Sequence, residues 1–417
     1  SSVLWRHADF VRLWAAQAIS AFGSRITRTA LPIIAVGTLR EPETVIGVLT
    51  AMQLAPGMVV GLVVGGMVDR GRKRRILIAA DLFRAFAVLT LTLAWLLGVL
   101  SIVHVILVGA LVGAASAVFQ ITDNAYLPAL IGKKQLAEGN AKLETTEAIA
   151  EIGGPASAGV LIAALGAPLV IVVDALTYLW SAAMLARIRT PDTIAEVSPD
   201  GPAQHGLLDD LRVGLRTIFR TPIVRPIVIA HAMWSISGGF FMALYTVFCL
   251  RTLHLSEAAL GVIIGLGGIG ALGGALLSRL FVRWFGLGVT LLVTSTLSVA
   301  CALLIPLADG SFLRTVSLLG AHQVLSDGFS IAFVIQAVSL RQTLIPKQLL
   351  GRANAAIHVC SGGLLALGAV GSGLLADATT PRFAVWVGVL IGLLVPFLLL
   401  PLVRLREMPR SPDDSHH

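Results

Sequence analysis

Long apolar segments alternate with short polar ones along almost the whole chain. Twelve of them are long enough to cross the hydrocarbon core of a bilayer as a helix, which takes about 20 residues. They span residues 10–37, 44–68, 76–98, 102–125, 139–165, 168–187, 224–250, 258–282, 286–307, 313–339, 353–377 and 383–403. Backbone polar groups inside a bilayer must form their hydrogen bonds within the protein, and a helix satisfies them all. The pattern therefore predicts an all-α membrane protein with twelve transmembrane helices.

The composition and the charge pattern agree with a membrane protein. Hydrophobic residues make up 56% of the chain and charged residues 13%. A net charge of +8 would suggest nucleic acid in a soluble protein, but here the basic residues stand at span ends, beside anionic headgroups. We therefore expect contacts with membrane lipids and no nucleic-acid partner. Most Lys and Arg lie on alternate junctions between spans, so the positive-inside rule predicts that both termini are cytoplasmic.

The two halves of the chain match at a constant offset of 214 residues. The matched pairs are Glu43/Glu257, Gly47/Gly261, Leu130/Leu344, Ile131/Ile345, Lys133/Lys347, Asn140/Asn354 and Gly159/Gly373. Six spans per half in one orientation indicate a parallel 6+6 duplication about an axis along the membrane normal. We expect an N-terminal six-helix bundle over residues 1–187, a C-terminal six-helix bundle over residues 223–407 and a tail over residues 408–417.

Residues 188–222 form the predicted cytoplasmic linker between the halves. The polar, proline-rich stretch TPDTIAEVSPDGPAQ is typical of a flexible connection. After it, LLDDLRVGLRTIF places its apolar residues largely on one helical stripe and its charged residues off that stripe. This pattern predicts a short amphipathic helix on the inner leaflet.

Several motifs resemble the major facilitator superfamily of secondary transporters. GGMVDRGRKRR, residues 65–75, is similar to the loop of that family between helices 2 and 3. LWAAQAISAFG followed by ALP, DLFRA, YLPALI with LAEGNAKLE, and LRVGLRTIFRTP resemble the drug/proton antiporter branch that contains enterobactin exporters and macrolide efflux pumps. The resemblance covers nearly the whole chain. It implies the major facilitator fold, with two bundles around a central cavity that rock to alternate access.

The basic loop after span 2 is the predicted cytoplasmic gate. Asp69 can meet a helix N-terminus and nearby arginines and close the cytoplasmic face in one conformation. A charge run that serves only topology is the alternative. The predicted gate residues are Gly65, Asp69, Arg70, Arg72, Arg74 and Glu144.

Span 5 contains EIGGPASAG, residues 151–159, which resembles the antiporter motif of the family. Ala158 departs from that motif, which has Gly at the penultimate position. Pro155 removes a helix hydrogen bond, and Gly154 and Gly159 permit close approach of another helix. In the family this motif accompanies export; ordinary small-residue packing is the alternative.

Several charged residues fall inside apolar spans, where a lone charge costs about 3 kcal/mol or more. Such groups must face a wet cavity or each other. We predict Glu151, Asp327 and Asp123, in that order, as protonation sites, because a carboxylate that alternates between protonated and Arg-paired states links pH to conformation. Static buried ion pairs are the alternative, and the i, i+3 pair Asp81 and Arg84 is interpreted as mostly structural.

A substrate cavity is predicted from polar and aromatic residues of the spans. Arg25 and Arg28 would pair with carboxylates or anchor an anionic group of the substrate. The predicted cavity residues are Arg25, Arg28, Gln120, Glu147, Trp234, Tyr245, His322 and Gln323. Helix packing is the alternative for any one of them. Ser24 follows Gly23 where relatives carry an acid, so span 1 departs from the family at the expected coupling position.

Two motif matches do not indicate enzymes or cofactors. Gly265-Leu-Gly-Gly-Ile-Gly270 fits GxGxxG, but it lies within an apolar span with no preceding strand, and we interpret it as close helix packing. His322 and Asp327 have acyltransferase-like spacing without any accompanying motif. The absence of GxxxxGK[ST] excludes an ATP site of that type. We expect no cofactor and no metal, with a proton gradient as the energy source.

The sequence therefore predicts a bacterial inner-membrane antiporter that works as a monomer. Its expected function is proton-coupled efflux of an amphipathic small molecule, either a drug, as in multidrug resistance, or a siderophore. Three alternatives remain open: a transporter of lysophospholipid or other lipid-like cargo, a membrane enzyme using His322 and Asp327, and a sensor that binds without transport.

Overall fold

The computed structural model describes residues 3–64, 68, 71–132, 135–190 and 207–405. These residues form helices and turns and contain no β-strand. In chain order the α-helices are α1 Ala8–Ile33, α2 Glu43–Val63, α3 Lys73–Leu96, α4 Ile102–Ile131, α5 Leu136–Leu165, α6 Ala167–Ala186, α7 Leu207–Arg220, α8 Val224–Val247, α9 Glu257–Phe285, α10 Leu287–Ala302, α11 Phe312–Leu344, α12 Lys347–Ala378, α13 Pro381–Leu393 and α14 Val395–Leu399. Short 3₁₀ turns occupy Val3–Arg6 and Leu400–Leu402.

Among the described residues, nine helical segments are long and apolar enough to cross a membrane. The other segments at predicted span positions are α1, α5 and α10. Helix α10 has 16 residues, whereas α1 and α5 are long but carry charged side chains along their length. The all-α membrane fold predicted from the sequence is confirmed. The count of twelve spans and their 6+6 layout stay predictions.

The predicted amphipathic helix forms as α7 and packs on α12. Ile218 is fully buried in a cluster with Ala353 and Ala356, and Leu215 packs against the edge of that cluster. A Cβ atom at Gly214 would collide with the backbone of α12, so the two helices approach closely there. The arginines on the other side of α7 are exposed, as an amphipathic pattern requires.

The backbone repeats an unusual feature at the 214-residue offset. The π-helical segment Ile34–Thr38 ends α1, and the π-helical segment Phe248–Thr252 ends α8. Each is followed by a non-glycine residue in the left-handed region, Arg40 with φ 56° and His254 with φ 53°. Few non-glycine residues adopt such angles. The same local conformation therefore ends two helices that occupy equivalent positions in the sequence repeat.

The described chain divides into two compact units. Unit 1 comprises Ser1–Glu41, Leu49–Ala203 and Ser256–Gly265; unit 2 comprises Pro42–Val48, Gln204–Leu255 and Leu266–His417. Pro42–Val48 belongs to unit 2 because the beginning of α2 packs against α12, and Ser256–Gly265 belongs to unit 1 because the beginning of α9 packs against α5. The domain boundaries predicted at residues 187 and 223 stay predictions.

Glycines make both of these crossings possible. In unit 2, a Cβ atom at Gly47 would collide with the Ala369 carbonyl of α12, and Gly373 lies against the first turn of α2. In unit 1, Gly159 of α5 and Gly261 of α9 touch through their backbones. The two crossings use the same repeat positions, since Gly47 corresponds to Gly261 and Gly159 to Gly373.

Within unit 2, α9 and α11 cross at a glycine stripe. Cβ atoms at Gly270 and Gly274 would collide with the carbonyl oxygens of Val324 and Gly328. This bears out the packing interpretation of the GxGxxG match at Gly267 and Gly270, because both glycines face α11.

We expect Gly274→Ala to destabilise this crossing by about 1–3 kcal/mol, because the added methyl group must displace backbone. Thermal unfolding of the purified protein in detergent measures the effect. Gly273→Ala is the matched control, since a Cβ atom at Gly273 would meet nothing within 4 Å. Equal melting temperatures for the two variants would contradict the packing described here.

Asp9 ties the beginning of α1 to the chain that follows α6. Its carboxylate accepts hydrogen bonds from the backbone N–H groups of Arg189 and Thr190, at 3.1 and 2.8 Å, and from the Thr190 hydroxyl at 2.7 Å. Arg12 pairs with it at 2.5 Å. Burial alone would raise the pKa of Asp9, but the hydrogen bonds from Thr190, Arg189 and Arg12 outweigh burial and lower the pKa to about 2.

The lowered pKa of Asp9 gives stability a defined pH dependence. The stabilisation is fully present above the ordinary pKa of 3.8, and it is lost as the pH falls toward the folded-state value. We expect Asp9→Asn to lower the melting temperature at neutral pH and the gap from wild type to shrink in acid. Melting curves over this range test it, with the exposed Asp209→Asn on α7 as control. A gap that is constant with pH would contradict the assignment.

Candidate transport and proton sites

An ion pair joins α1 and α5 over the predicted antiporter motif. Arg25 donates to the Glu147 carboxylate at 2.8 Å. The aliphatic stem of Arg25 lies on Gly154, where a Cβ atom would be 2.8 Å from Arg25 Cγ. The Gly154 position therefore brings Arg25 close to α5. Because Glu147 is about half exposed, at 48% of its side chain, the pair lies at the surface of the described helices and not in a packed core.

The rest of the motif shapes α5 for close packing. Pro155 lies inside the helix, and Gly159 is buried at the backbone contact with Gly261. Glu151 lies on the same helix four residues after Glu147, but its side chain is outside the described residues. The same holds for the side chain of Glu144.

Asp123 lies on α4 near one neutral amide and two acids. Gln17 of α1 lies near its carboxyl group, and the carboxylates of Glu147 and Asp81 are close enough to act on its charge. Neither Asp123 Oδ1 nor Gln17 Nε2 completes a hydrogen bond with the described residues. A carboxylate in such a setting is costly unless it binds a proton or is hydrated.

Asp327 lies on α11 in unit 2, against a glycine of α9. A Cβ atom at Gly267 would collide with Asp327 Oδ2 and would lie 2.9 Å from Gln323 Nε2. Gln323 donates to the Asp327 carboxylate at 3.4 Å. The predicted protonation site and one predicted cavity residue are therefore in contact, and Gly267 makes room for both.

Aromatic side chains of unit 2 pair along the same helices. Trp234 of α8 stacks on Phe333 of α11, with ring centroids 5.4 Å apart. The ring of Tyr245 lies 6.4 Å from that of His322. His322 is buried, and its Nδ1 is 3.1 Å from the Cys301 carbonyl oxygen. This contact gives His322 a helix-packing role.

The predicted gate is described only in part. Gly65, Asp69 and Arg70 lie outside the described residues. Arg72 is exposed and forms the N-cap of α3. Arg74 is half-buried and donates to the Ile188 carbonyl, which ties α3 to the chain after α6.

Two predicted cavity residues lie on exposed helix surfaces of unit 1. Arg28 of α1 and Gln120 of α4 are both exposed. Arg28 lies three residues after Arg25 on the same helix. Among the described residues, no group of three or more His, Cys, Asp or Glu could hold a metal ion.

Asp81 and Arg84 of α3 form the i, i+3 pair that the sequence indicated, 2.5 Å apart and both buried. The guanidinium of Arg84 lies between two rings, 4.5 Å from the centroid of Phe119 and 4.4 Å from that of Tyr178. It also donates to the Ser116 hydroxyl at 3.3 Å. One arginine therefore links α3, α4 and α6.

Sequence reasoning missed the acid beside this pair. Asp174 lies in the middle of α6 and is fully buried, and Arg84 is close enough to act on its charge. The signal was present, because Asp174 interrupts the apolar run VIVVDALTYLW. The same rule that singled out Asp123 and Asp327, an acid inside an apolar span, applies equally to Asp174.

Comparisons with known proteins give a family match and several relatives. Residues 3–417 match the family described as transmembrane secretion effector. The enterobactin exporter EntS of Citrobacter koseri is 27% identical over 430 residues, which cover 99% of this chain and 97% of that protein. The macrolide efflux protein A of Streptococcus pyogenes is 26% identical over 194 residues, which cover 46% of this chain and 48% of that protein.

A solved structure shares the fold. The inward-facing structure of a bacterial homologue of the iron transporter ferroportin superposes with a TM-score of 0.74 and 18% identity. The match covers 97% of this chain and all of that one, 100%. At this identity the likeness shows the fold alone.

We expect Arg84→Met to destabilise unit 1 by roughly 3–5 kcal/mol, because it leaves the Asp81 carboxylate buried without its partner. The double variant Arg84→Met with Asp81→Leu should recover most of that loss, since no charge of the pair is then buried alone. Melting temperatures in detergent measure both. If the double variant is as unstable as the single one, the pair is not the cause.

Proposed function

The chain belongs to the transmembrane secretion effector family of major facilitator transporters, and we propose that it exports an amphipathic small molecule in exchange for protons. The family and its relatives make the chain a multi-pass membrane transporter and not an enzyme. The proposal adds the direction of transport, the cargo class and the energy source.

The observation that carries the proposal is the ion pair between Arg25 and Glu147 on Gly154. An arginine inside an apolar span is costly, and here it lies on the segment that resembles the antiporter motif. Because its carboxylate partner is half exposed, an anionic group of the substrate would compete with Glu147 for the guanidinium of Arg25.

Three acids are proposed to carry the coupling proton. Glu151 lies on α5, four residues beyond Glu147. Asp327 contacts Gln323 beside Gly267 in unit 2, and Asp123 lies beside Gln17 in unit 1. Each would alternate between a neutral and a charged form as access alternates, so that a pH gradient biases the conformation.

The cargo class is proposed from the relatives and from the lining. The relatives are named for export of enterobactin, a siderophore, and of macrolides. Trp234 and Tyr245 would offer aromatic surface within unit 2, which suits an amphipathic molecule. We propose that the protein works as a monomer in the bacterial inner membrane, with both termini cytoplasmic and with the basic loop after α2 as the cytoplasmic gate.

Flux into proteoliposomes with an imposed pH gradient tests the proposal. The probes are enterobactin, a labelled macrolide and a labelled lysophospholipid. We expect gradient-driven flux of enterobactin or the macrolide that a protonophore abolishes. Flux that persists after the gradient collapses would reject proton coupling, and flux of the lysophospholipid alone would reject the cargo class.

The same vesicles test the choice of coupling residues. We expect Glu151→Gln and Asp327→Asn to lose gradient-driven flux while they keep exchange without a gradient, because neither amide can release a proton. Asp209→Asn, on the surface of α7, is the matched control and should behave as wild type. Unchanged coupling in both Glu151→Gln and Asp327→Asn would reject these sites.

A further inference from the structure

The interior of unit 1 holds two fully buried carboxyl groups and one arginine. Asp81 and Asp174 both have 0% exposure, and Arg84 has 4%. Arg84 pairs with Asp81 at 2.5 Å. The charge of that arginine is therefore already balanced, and Asp174 is an additional acid in the same interior.

The surroundings of Asp174 offer hydroxyl groups and one shared cation. Asp174 Oδ1 accepts from the Thr177 hydroxyl at 3.1 Å. Thr27 of α1 lies near the same carboxyl group, but neither Thr27 Oγ1 nor Asp174 Oδ2 completes a hydrogen bond with the described residues. An ionised carboxylate buried in this way costs far more than a neutral acid, so such groups take up a proton.

We propose that Asp174 is a proton-binding residue of unit 1, held as a neutral acid beside the charge-balanced pair of Asp81 and Arg84. The site is distinct from Glu151, Asp327 and Asp123, and its use in transport rests on the proton coupling proposed above. The other neighbours of Asp174 are Tyr178 on its own helix and the α1 backbone at Gly23. Helix α5 also packs against α6, and the Glu151 side chain on it is outside the described residues.

Gly23 makes the burial of this acid possible. A Cβ atom at Gly23 would collide with Thr177 Oγ1 and would lie 2.5 Å from Asp174 Oδ1. Because Gly23 has no side chain, the α1 backbone packs directly against the carboxyl group and shields it. Asp174 therefore exchanges its proton only when α1 and α6 separate at Gly23.

Release of the proton would change the partners of Arg84. The O–H bond of the Asp174 acid breaks, its proton passes to a water molecule, and a carboxylate remains. Arg84 then has two anionic partners, Asp81 on α3 and Asp174 on α6. Since Arg84 lies between the rings of Phe119 and Tyr178, any shift of the guanidinium moves the packing of α4 and α6.

The contacts continue from Tyr178 to the candidate transport site. The Tyr178 hydroxyl lies 3.1 Å from the Ser24 hydroxyl of α1. The residue after Ser24 is Arg25, which pairs with Glu147. The protonation state of Asp174 is thus connected to the arginine proposed to meet substrate through one tyrosine and one helix.

The second half of the chain has no charge at the equivalent positions. At the 214-residue offset, Asp81 and Arg84 correspond to Ser295 and Ser298, which are buried. Asp174 corresponds to Gly388, whose carbonyl accepts from Ser237 at 2.8 Å. Serines and a glycine fill this place in the fold, so its helix packing does not require ions. The fold therefore does not require an acid at the Asp174 position.

Infrared spectroscopy of the purified full-length protein in lipid nanodiscs tests the proposal without substrate. We expect the C=O stretching band of a neutral carboxylic acid at neutral pH, and we expect Asp174→Asn to remove it. Asp123→Asn and Asp327→Asn, which remove two other proposed proton-binding acids, should each retain the component of the band that Asp174→Asn removes, and the surface variant Asp209→Asn is the matched control. A wild-type spectrum without this band, or an unchanged band in folded Asp174→Asn, would overturn the proposal.

Isotope labelling keeps the test valid if Asp174→Asn does not fold. Carbon-13 at the aspartate carboxyl groups should shift the band that remains when Asp123→Asn and Asp327→Asn are combined in one variant, whereas the same label on glutamate should not. A band that shifts only with labelled glutamate would overturn the proposal. If the aspartate band is present but proton-driven flux fails, the proposed function is rejected and this site stands. If proton-driven flux occurs without the aspartate band, this site is rejected and the proposed function stands.

Discussion

Charged side chains in the apolar spans of unit 1 are held by partners on the same helix or a neighbouring one, because a lone charge in hydrocarbon costs about 3 kcal/mol or more. Arg84 binds Asp81 and lies between two aromatic rings, and Arg25 reaches Glu147 across α1 and α5. Helices α1 and α5 therefore cannot separate without breaking an ion pair. Helix α3 cannot move against α4 or α6 without losing the contacts of Arg84 with two aromatic rings.

Glycines provide the space for several of these polar side chains. At three helix contacts a glycine faces an acid or the stem of an arginine: Gly154 faces Arg25, Gly267 faces Asp327 and Gly23 faces Asp174. A side chain at any of these positions would displace the charged group. Close backbone approach thus supplies the space that a polar group needs inside a bundle otherwise packed by apolar residues.

The repeat preserves backbone and packing more strictly than charge. The two π-helical ends, the left-handed residues after them and the paired glycine crossings recur at the 214-residue offset. The buried acids of α3 and α6 do not recur, since Asp174 has Gly388 as its counterpart and Asp81 has Ser295. The fold therefore forms in the second half without an acid at either of these two positions.

The periodicity and charge of the sequence were enough to predict an all-α membrane fold, the amphipathic α7 and the Asp81–Arg84 pair, because these depend on residues close together along the chain. Motif resemblance was enough for the family. The contact of Arg25 with Glu147, the pairing of Gly159 with Gly261 and the position of Asp174 beside Arg84 join residues far apart in sequence. Helical periodicity tells which face of a helix is polar but not which helix meets that face, so only the tertiary structure decided these contacts.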